Sequence, residues 1–557
     1  VVIMFKNSAK FNLTDFSVML FTIVIALCYV FQHGTARDVV FERILGCVFV
    51  YLSVRLICSI FPKTINYATL LFISGYSLFE AYKGLLQLLG ERTSNHYLFA
   101  CTGSFLNPGP YGGFLAVCIA VLGAYAVTTY REMDKTRQKR FGLENISYRI
   151  TAIASLGALI LLPATQSRAA ILALCCSALL FAVRTERWRK LLKRYFLPIT
   201  AVVVVAVVAA YSFKKPSADG RMFMNRISWK AMTTHGLSGA GMGNFGGAYA
   251  TAQAEHFYAQ TATEEDLFDI SLLDEHQRLT AGCPDNAFNE YLHMGVECGP
   301  LAMLSLIAVI ISAVLCSMRN GTVWCYGIMV YAVFALFSYP FHIKQLCIMF
   351  PVLLALCATP KNGGIRDISL TQYIMLTLIG GLFISEYPTI KERREAEKEW
   401  EKTKHWHTME YFEYVVEDAE QLLPQMKHSY EFLFAYGQSL NKVGQYEKSD
   451  SILKIGTELS SDPMFWNVMG NNSLAQGRYR EAEERYKHAF YMVPNRLYPL
   501  YLLAKLYYTE GDTVRFLQMA EMVEEFIPKV ESVNTESLRT EIRELKSMLI
   551  MTNKCGQ

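Results

Sequence analysis

No CxxC pair occurs anywhere in the sequence, and charge of either sign is scarce. Without such pairs the usual cysteine spacing of a metal site is excluded. The fourteen cysteines build no disulfide framework either. Most lie inside apolar runs, where cysteine behaves as a small hydrophobe; a bridge between Cys101 and Cys283, which fall outside such runs, is the minor alternative. Asp, Glu, Lys and Arg supply 18% of the 557 residues, against roughly 25% in an ordinary soluble protein. No sign of charge dominates: the net charge of +4 is too small to make nucleic acid a partner. The opening stretch VVIMFKNSAK lacks a cleavable signal, so the first span, from about Asp15, is expected to remain as an anchor.

What is abundant is apolar sequence. Hydrophobic residues make up 52% of the chain and the mean hydropathy is +0.21, the composition of a polytopic membrane protein. A span needs about twenty apolar residues. Eleven stretches qualify, near 15–32, 39–61, 66–89, 110–130, 148–164, 167–184, 196–213, 299–317, 322–339, 342–359 and 369–387. The most basic loops, 131–149 and 184–194, fall on the same side of the membrane by this count. Lys and Arg gather on the cytoplasmic side, which puts the N-terminus inside. The polar segment 214–297 and everything after the last span then lie outside. The expected fold is all-α: a polytopic helical membrane domain, residues 1–390 with the large outer loop 214–297, then a helical repeat domain, residues 391–557.

The repeat has a period near 34. In its clearest copy Trp466, Gly470, Gly477, Tyr479, Ala482, Tyr486, Ala489 and Pro494 fall on the tetratricopeptide pattern. Segment 391–406 reads as a charged, solvated linking helix, and 405–429 as half a repeat capping the stack. Such arrays bind proteins or peptides, or act as spacers.

Polar residues that could carry chemistry cluster on the outer face. Arg168 sits at the tip of a hairpin, TQSRAAILAL, where it either snorkels to the surface or serves a function. Arg221 and Arg226 lie in GRMFMNRISWKAM; with Arg168 they suit a pyrophosphate, or lipid headgroups. The glycines of GLSGAGMGNF (236–245) lack the strand and βαβ unit of a dinucleotide fingerprint and read as a tight turn. The acidic residues between Glu264 and Glu275 match no metal-ligand pattern, and no metal is expected. DNAFNEYLHMGVECG (285–299) reads as an amphipathic helix entering the next span. There Asn289, His293 and Glu297 share a face, Asp285 lies one turn earlier and Glu290 beside it. That stripe is either a site for an acceptor hydroxyl and its general base or the wet side of an interfacial helix.

The order NPGPYGGFLA, SRAA, GR…W…HGLSGAGMGNF and NEYLHMGVECGPLAML, over roughly residues 100–360, resembles the O-antigen ligase superfamily, which includes O-antigen polymerases and protein O-oligosaccharyltransferases. The resemblance implies transfer of a glycan from an undecaprenyl-pyrophosphate-linked donor in a bacterial inner membrane, at the periplasmic face and without a cofactor. The acceptor would be a lipid A core sugar, a growing glycan or a protein hydroxyl. Arg168 and Arg221 match the family's pyrophosphate-binding positions, with Arg226 a further expected contact. Aligning on Glu297 and Gly299 puts Phe288 where many members carry a histidine, and Asn286 is no base. His293, Glu290 or Asp285 is therefore expected in the catalytic role, with Asn286, Asn289 and Glu297 toward the acceptor. The other readings are a non-catalytic scaffold for envelope assembly, favoured by Phe288, and a lipid-linked glycan transporter, disfavoured by the lack of an inverted repeat.

Overall fold

The computed structural model describes residues 12–136, 143–186, 189–190, 194, 215–261, 270–360 and 370–555. Within these residues the regular structure is helical, with no strand. The membrane part holds α1 (Leu13–Phe31), α2 (Arg37–Ile60), α3 (Pro62–Leu88), α4 (Pro108–Thr136), α5 (Leu143–Leu161) and α6 (Arg168–Arg184). The polar segment supplies α7 (Lys215–His235), α8 (Phe245–Thr261) and α9 (Glu275–Thr280). After it come α10 (Glu290–Asn320), α11 (Trp324–Phe334), α12 (Lys344–Ala358) and α13 (Leu370–Thr408). Ten of the eleven expected stretches overlap one of these helices, in whole or in part; the stretch 196–213 lies outside the described residues. Among the described residues six helices, α1, α2, α4, α5, α10 and α13, are long and apolar enough to cross a membrane.

Local sequence explains where these helices begin. Asn12 caps α1 by accepting from the Thr14 and Asp15 amides, and Asp15 bonds back to the Asn12 amide. Asp15 then turns inward. It accepts from Tyr51 Oη at 2.6 Å and pairs with Arg55 at 2.9 Å, all three groups being buried. A buried pair of this kind fixes the register of α1 on α2 because each charge is costly without the other. Pro62 and Pro108 occupy first helical turns, where a missing N–H costs nothing. Ahead of α4, Gln87 holds the Thr102 and Gly103 amides at 2.9 and 2.8 Å, and Glu80 takes the Ser104 amide at 2.9 Å. Gly112 and Gly113 leave room for Ser167 and the Phe334 ring, so the start of α4 closes onto the 165–167 turn and the end of α11.

The expected span 322–339 is cut short. The apolar run 322–339 is helical only over the eleven residues of α11, about 16 Å of rise and too little to cross a bilayer of about 30 Å. Residues 335–343 follow in irregular and 3-10 conformation before α12 begins.

The expected helix over 285–299 is shorter as well. It starts at Glu290 and breaks at Gly299, which takes φ 82° ahead of Pro300. Pro300 has no N–H for the Val296 carbonyl. The glycine turn supplies the replacement: the Ala240 amide donates to Val296 O at 2.8 Å and the Gly241 amide to Glu297 O at 3.0 Å. The Gln32 amide also donates to Glu297 O, at 3.0 Å, and to Ser238 O. The turn thus docks on the break, with Met242 packed against Ile25, Val40, Cys298 and Ala302.

The C-terminal part is a stack of antiparallel helix pairs: α14 (Phe412–Met426), α15 (Tyr430–Lys442), α16 (Tyr446–Leu459), α17 (Met464–Ala475), α18 (Tyr479–Met492), α19 (Tyr498–Glu510), α20 (Thr513–Glu525) and the closing α21 (Val533–Cys555). The segment expected as a charged, solvated linking helix is a largely exposed part of α13, which runs unbroken from the apolar stretch into the stack. Ala396 and Trp400 are buried, and Arg393 pairs with Glu42 at 2.8 Å. Nor is the stack a detached domain. Residues of α7, α8 and α10 share one hydrophobic core with α18 to α20. Asn495 donates to the carbonyls of Arg278 and Ala281 at 3.0 and 2.8 Å, and Arg278 donates to Ile527 O at 3.0 Å. Cys101 and Cys283 are both free thiols.

Candidate active site

Two cavities lie on either side of segment 335–343. The first, about 250 Å³, is open and walled by the start of α4, the 165–168 turn, α7, Phe288 and Tyr339. Arg168 reaches it as the first residue of α6, just after Ser167 caps that helix by accepting from the Ala170 amide. A helix N-terminus and an arginine together favour an anion. Arg221 reaches the same cavity from α7, with Nη1 donating to Phe337 O at 3.1 Å. Burial first, and then the Arg168 cation beside it, press the Arg221 guanidinium below its ordinary range. An anion beside the two guanidiniums would relieve that cost at Arg221. Asn107, Ser217 and the Tyr339 hydroxyl complete the polar lining, with Asn107 Nδ2 3.4 Å from Tyr339 Oη. No carboxylate or imidazole lines this cavity among the described residues.

Phe288, at the position where the resemblance led us to look for a histidine, forms part of the wall. Its ring lies 5.5 Å from the Arg221 guanidinium and edge-on to Tyr339. Its backbone is left-handed, with φ 49°, a conformation that is uncommon and strained for a bulky residue.

The second cavity, about 120 Å³, is lined by α1, α2, α10 and α12 and is likewise open. Glu290, His293 and Glu297 line it from one face of α10, and His342 joins them from the 3-10 turn. His293 Nε2 is 3.2 Å from Glu297 Oε1, and His342 Nδ1 is 3.4 Å from Glu290 Oε1. The Phe341 amide donates to Glu290 at 2.7 Å. The two imidazole rings meet edge to face, 4.6 Å apart, and the Phe245 ring stacks on His293 at 4.6 Å. Glu290, His293 and Glu297 are 4%, 7% and 6% exposed, which excludes the wet interfacial helix.

The structure therefore divides the expected site residues. Arg168 and Arg221 come together. Glu290, His293 and Glu297 come together elsewhere. Arg226 is exposed and lines neither cavity, because five residues along a helix turn it away from Arg221. Asn289 is the N-cap of α10, its carbonyl oxygen taken by the Tyr291 and Leu292 amides. Asp285 lies outside that helix and accepts from Tyr430 Oη at 3.2 Å. Asn286 lines neither cavity. Sequence reasoning missed Tyr339, His342 and Arg43, an arginine inside an apolar run and so costly enough to have been a signal.

No curated protein compared with the chain matches it. Residues 153–307, which span Arg168, Arg221 and the break in α10, match the family model described as O-Antigen ligase.

Proposed function

We propose that this protein transfers a glycan from an undecaprenyl-pyrophosphate-linked donor to an acceptor hydroxyl, with the pyrophosphate held by Arg168 and Arg221. The observation that carries this reading is their convergence, from α6 and α7, on one open cavity. The match of residues 153–307 to the O-antigen ligase family model supports glycan transfer of that type; donor and acceptor are our inference. In the reaction the acceptor oxygen attacks the anomeric carbon and the bond to the pyrophosphate oxygen breaks. Undecaprenyl pyrophosphate departs as an anion that two guanidiniums neutralise, and this stabilisation is the main catalytic effect. The acceptor proton passes to the departing pyrophosphate. His293 and Glu290 stand across segment 335–343, and Asp285 is engaged by Tyr430, so we give none of them the part of direct base.

The membrane orientation we favour puts the N-terminus in the cytoplasm and both the 214–297 segment and the C-terminal stack in the periplasm, as the basic loops indicate. We read the stack as tetratricopeptide repeats that engage a protein partner, a reading supported by Tyr486 packing against Gly470 in its clearest copy.

The test uses purified protein, an undecaprenyl-pyrophosphate glycan from its own host, and lipid and protein acceptors in separate reactions. Transfer establishes the enzyme, and the acceptor used names its type. Failure with every acceptor, from folded protein that still binds donor, would turn the reading to a non-catalytic scaffold, which Phe288 favours.

A further inference from the structure

The second cavity has a composition of its own. Most of its wall is hydrocarbon from four helices, including Phe21, Val48, Leu306 and Leu354, while one end carries two carboxylates and two imidazoles. Arg43 also lines the cavity and is itself exposed. His293 is 7% exposed, and its Nδ1 has no hydrogen-bond partner among the described residues. A buried polar atom left in that state costs free energy, and a ligand that bonds to it would recover the loss.

We propose that this cavity binds an amphiphile with one apolar chain and an uncharged, hydroxyl-bearing head, as in a simple glycolipid. The chain lies along the aliphatic walls. The head meets the Glu290, His293, Glu297 and His342 end, where hydroxyls can donate to carboxylates and to an imidazole nitrogen and accept from an imidazole N–H. A charged head of either sign would meet a like charge, since two carboxylates and Arg43 all line the cavity. A purely apolar ligand would leave His293 Nδ1 unsatisfied. This inference does not rest on the transfer reaction.

The test uses the full chain in lipid nanodiscs and a long-chain alkyl glucoside carrying a diazirine in its chain. Photolabelling is expected to be saturable and to fall on peptides covering residues 40–51 and 341–354. An unlabelled alkyl glucoside should compete about tenfold better than an alkyl phosphate of equal chain length, a difference of about 1.4 kcal/mol. Ile44→Trp, which fills the cavity, should abolish saturable labelling, and His293→Leu should weaken it about tenfold. Should Ile44→Trp fail to fold, the competition in the unaltered protein still decides. Arg221→Ala, in the other cavity, should label as the unaltered protein does. Labelling that does not saturate, that spreads over the lipid-facing surface, that the phosphate competes better, or that disappears with Arg221→Ala would overturn the proposal.

Discussion

The Arg221 guanidinium stands 5.5 Å from the centre of the Phe288 ring, and Phe288 holds that position with a left-handed backbone at φ 49°. A cation over an aromatic face gains about 1 kcal/mol, while left-handed backbone costs a side chain roughly 1–2 kcal/mol. The two effects are separable. Phe288→Gly should keep or raise the unfolding temperature, because glycine accepts this backbone freely. It should also weaken donor binding about fivefold by leaving Arg221 unsupported. Unchanged donor affinity in the folded variant would show that the ring is passive.

The break in α10 makes a second test. A side chain at Gly299 would meet the Leu237 carbonyl and would have to adopt φ 82°. Gly299→Ala is therefore expected to destabilise by about 1–3 kcal/mol. The effect should appear as a lower unfolding temperature and as faster hydrogen exchange at Ala240 and Gly241, whose amides close the break. An unchanged temperature would mean that the turn shifts aside without cost.

The Asp15–Arg55 pair makes a third. Both side chains are buried, at 3% and 2% exposure. Arg55→Met should cost about 3–5 kcal/mol by stranding a carboxylate, and adding Asp15→Leu should restore part of that loss. Thermal unfolding in detergent measures both variants, and equal stability of the single variant and the unaltered protein would contradict the expectation.

Acid should loosen the C-terminal stack at one identifiable place. Burial pushes His488, packed against Trp466, down from its ordinary value to about 4. Between pH 6.5 and 4 the unfolded chain binds a proton that the folded chain refuses, so stability falls as pH falls through that window. The loss approaches about 2–3 kcal/mol at its acid end. Hydrogen exchange on peptides from α17 and α18 at pH 7 and pH 5 should show the loosening, and His488→Gln should remove it. Identical pH dependence in both proteins would assign it to other groups.

The helical fold was legible because apolar runs near twenty residues and a repeat of small and aromatic residues leave few alternatives. What was not legible depends on where helices stop. The run 322–339 stays apolar past Phe334, yet the helix ends there and residues 335–343 become the wall between two cavities. Asn289 shares a helical face with His293 on paper, but as the N-cap its side chain is spent on backbone amides. Arg168 and Arg221 were marked by resemblance and do converge. His342 and Arg43 come from elements distant in sequence, so no local pattern joined them to Glu290 and Glu297. The docking of the stack on α7 and α8 was hidden for the same reason.

The most direct measurement is the rate of glycan transfer at saturating donor for the unaltered protein, Arg168→Ala, Arg221→Ala and the double variant, each at matched folded protein. Leaving-group stabilisation by two guanidiniums means that each single variant should lose about 10²–10³ in rate. Arg221→Lys should recover only part of the loss, since an ammonium cannot reach two oxygens together. The double variant should fall to background. Transfer at the unaltered rate by folded Arg221→Ala would contradict the account and move the chemistry away from this cavity.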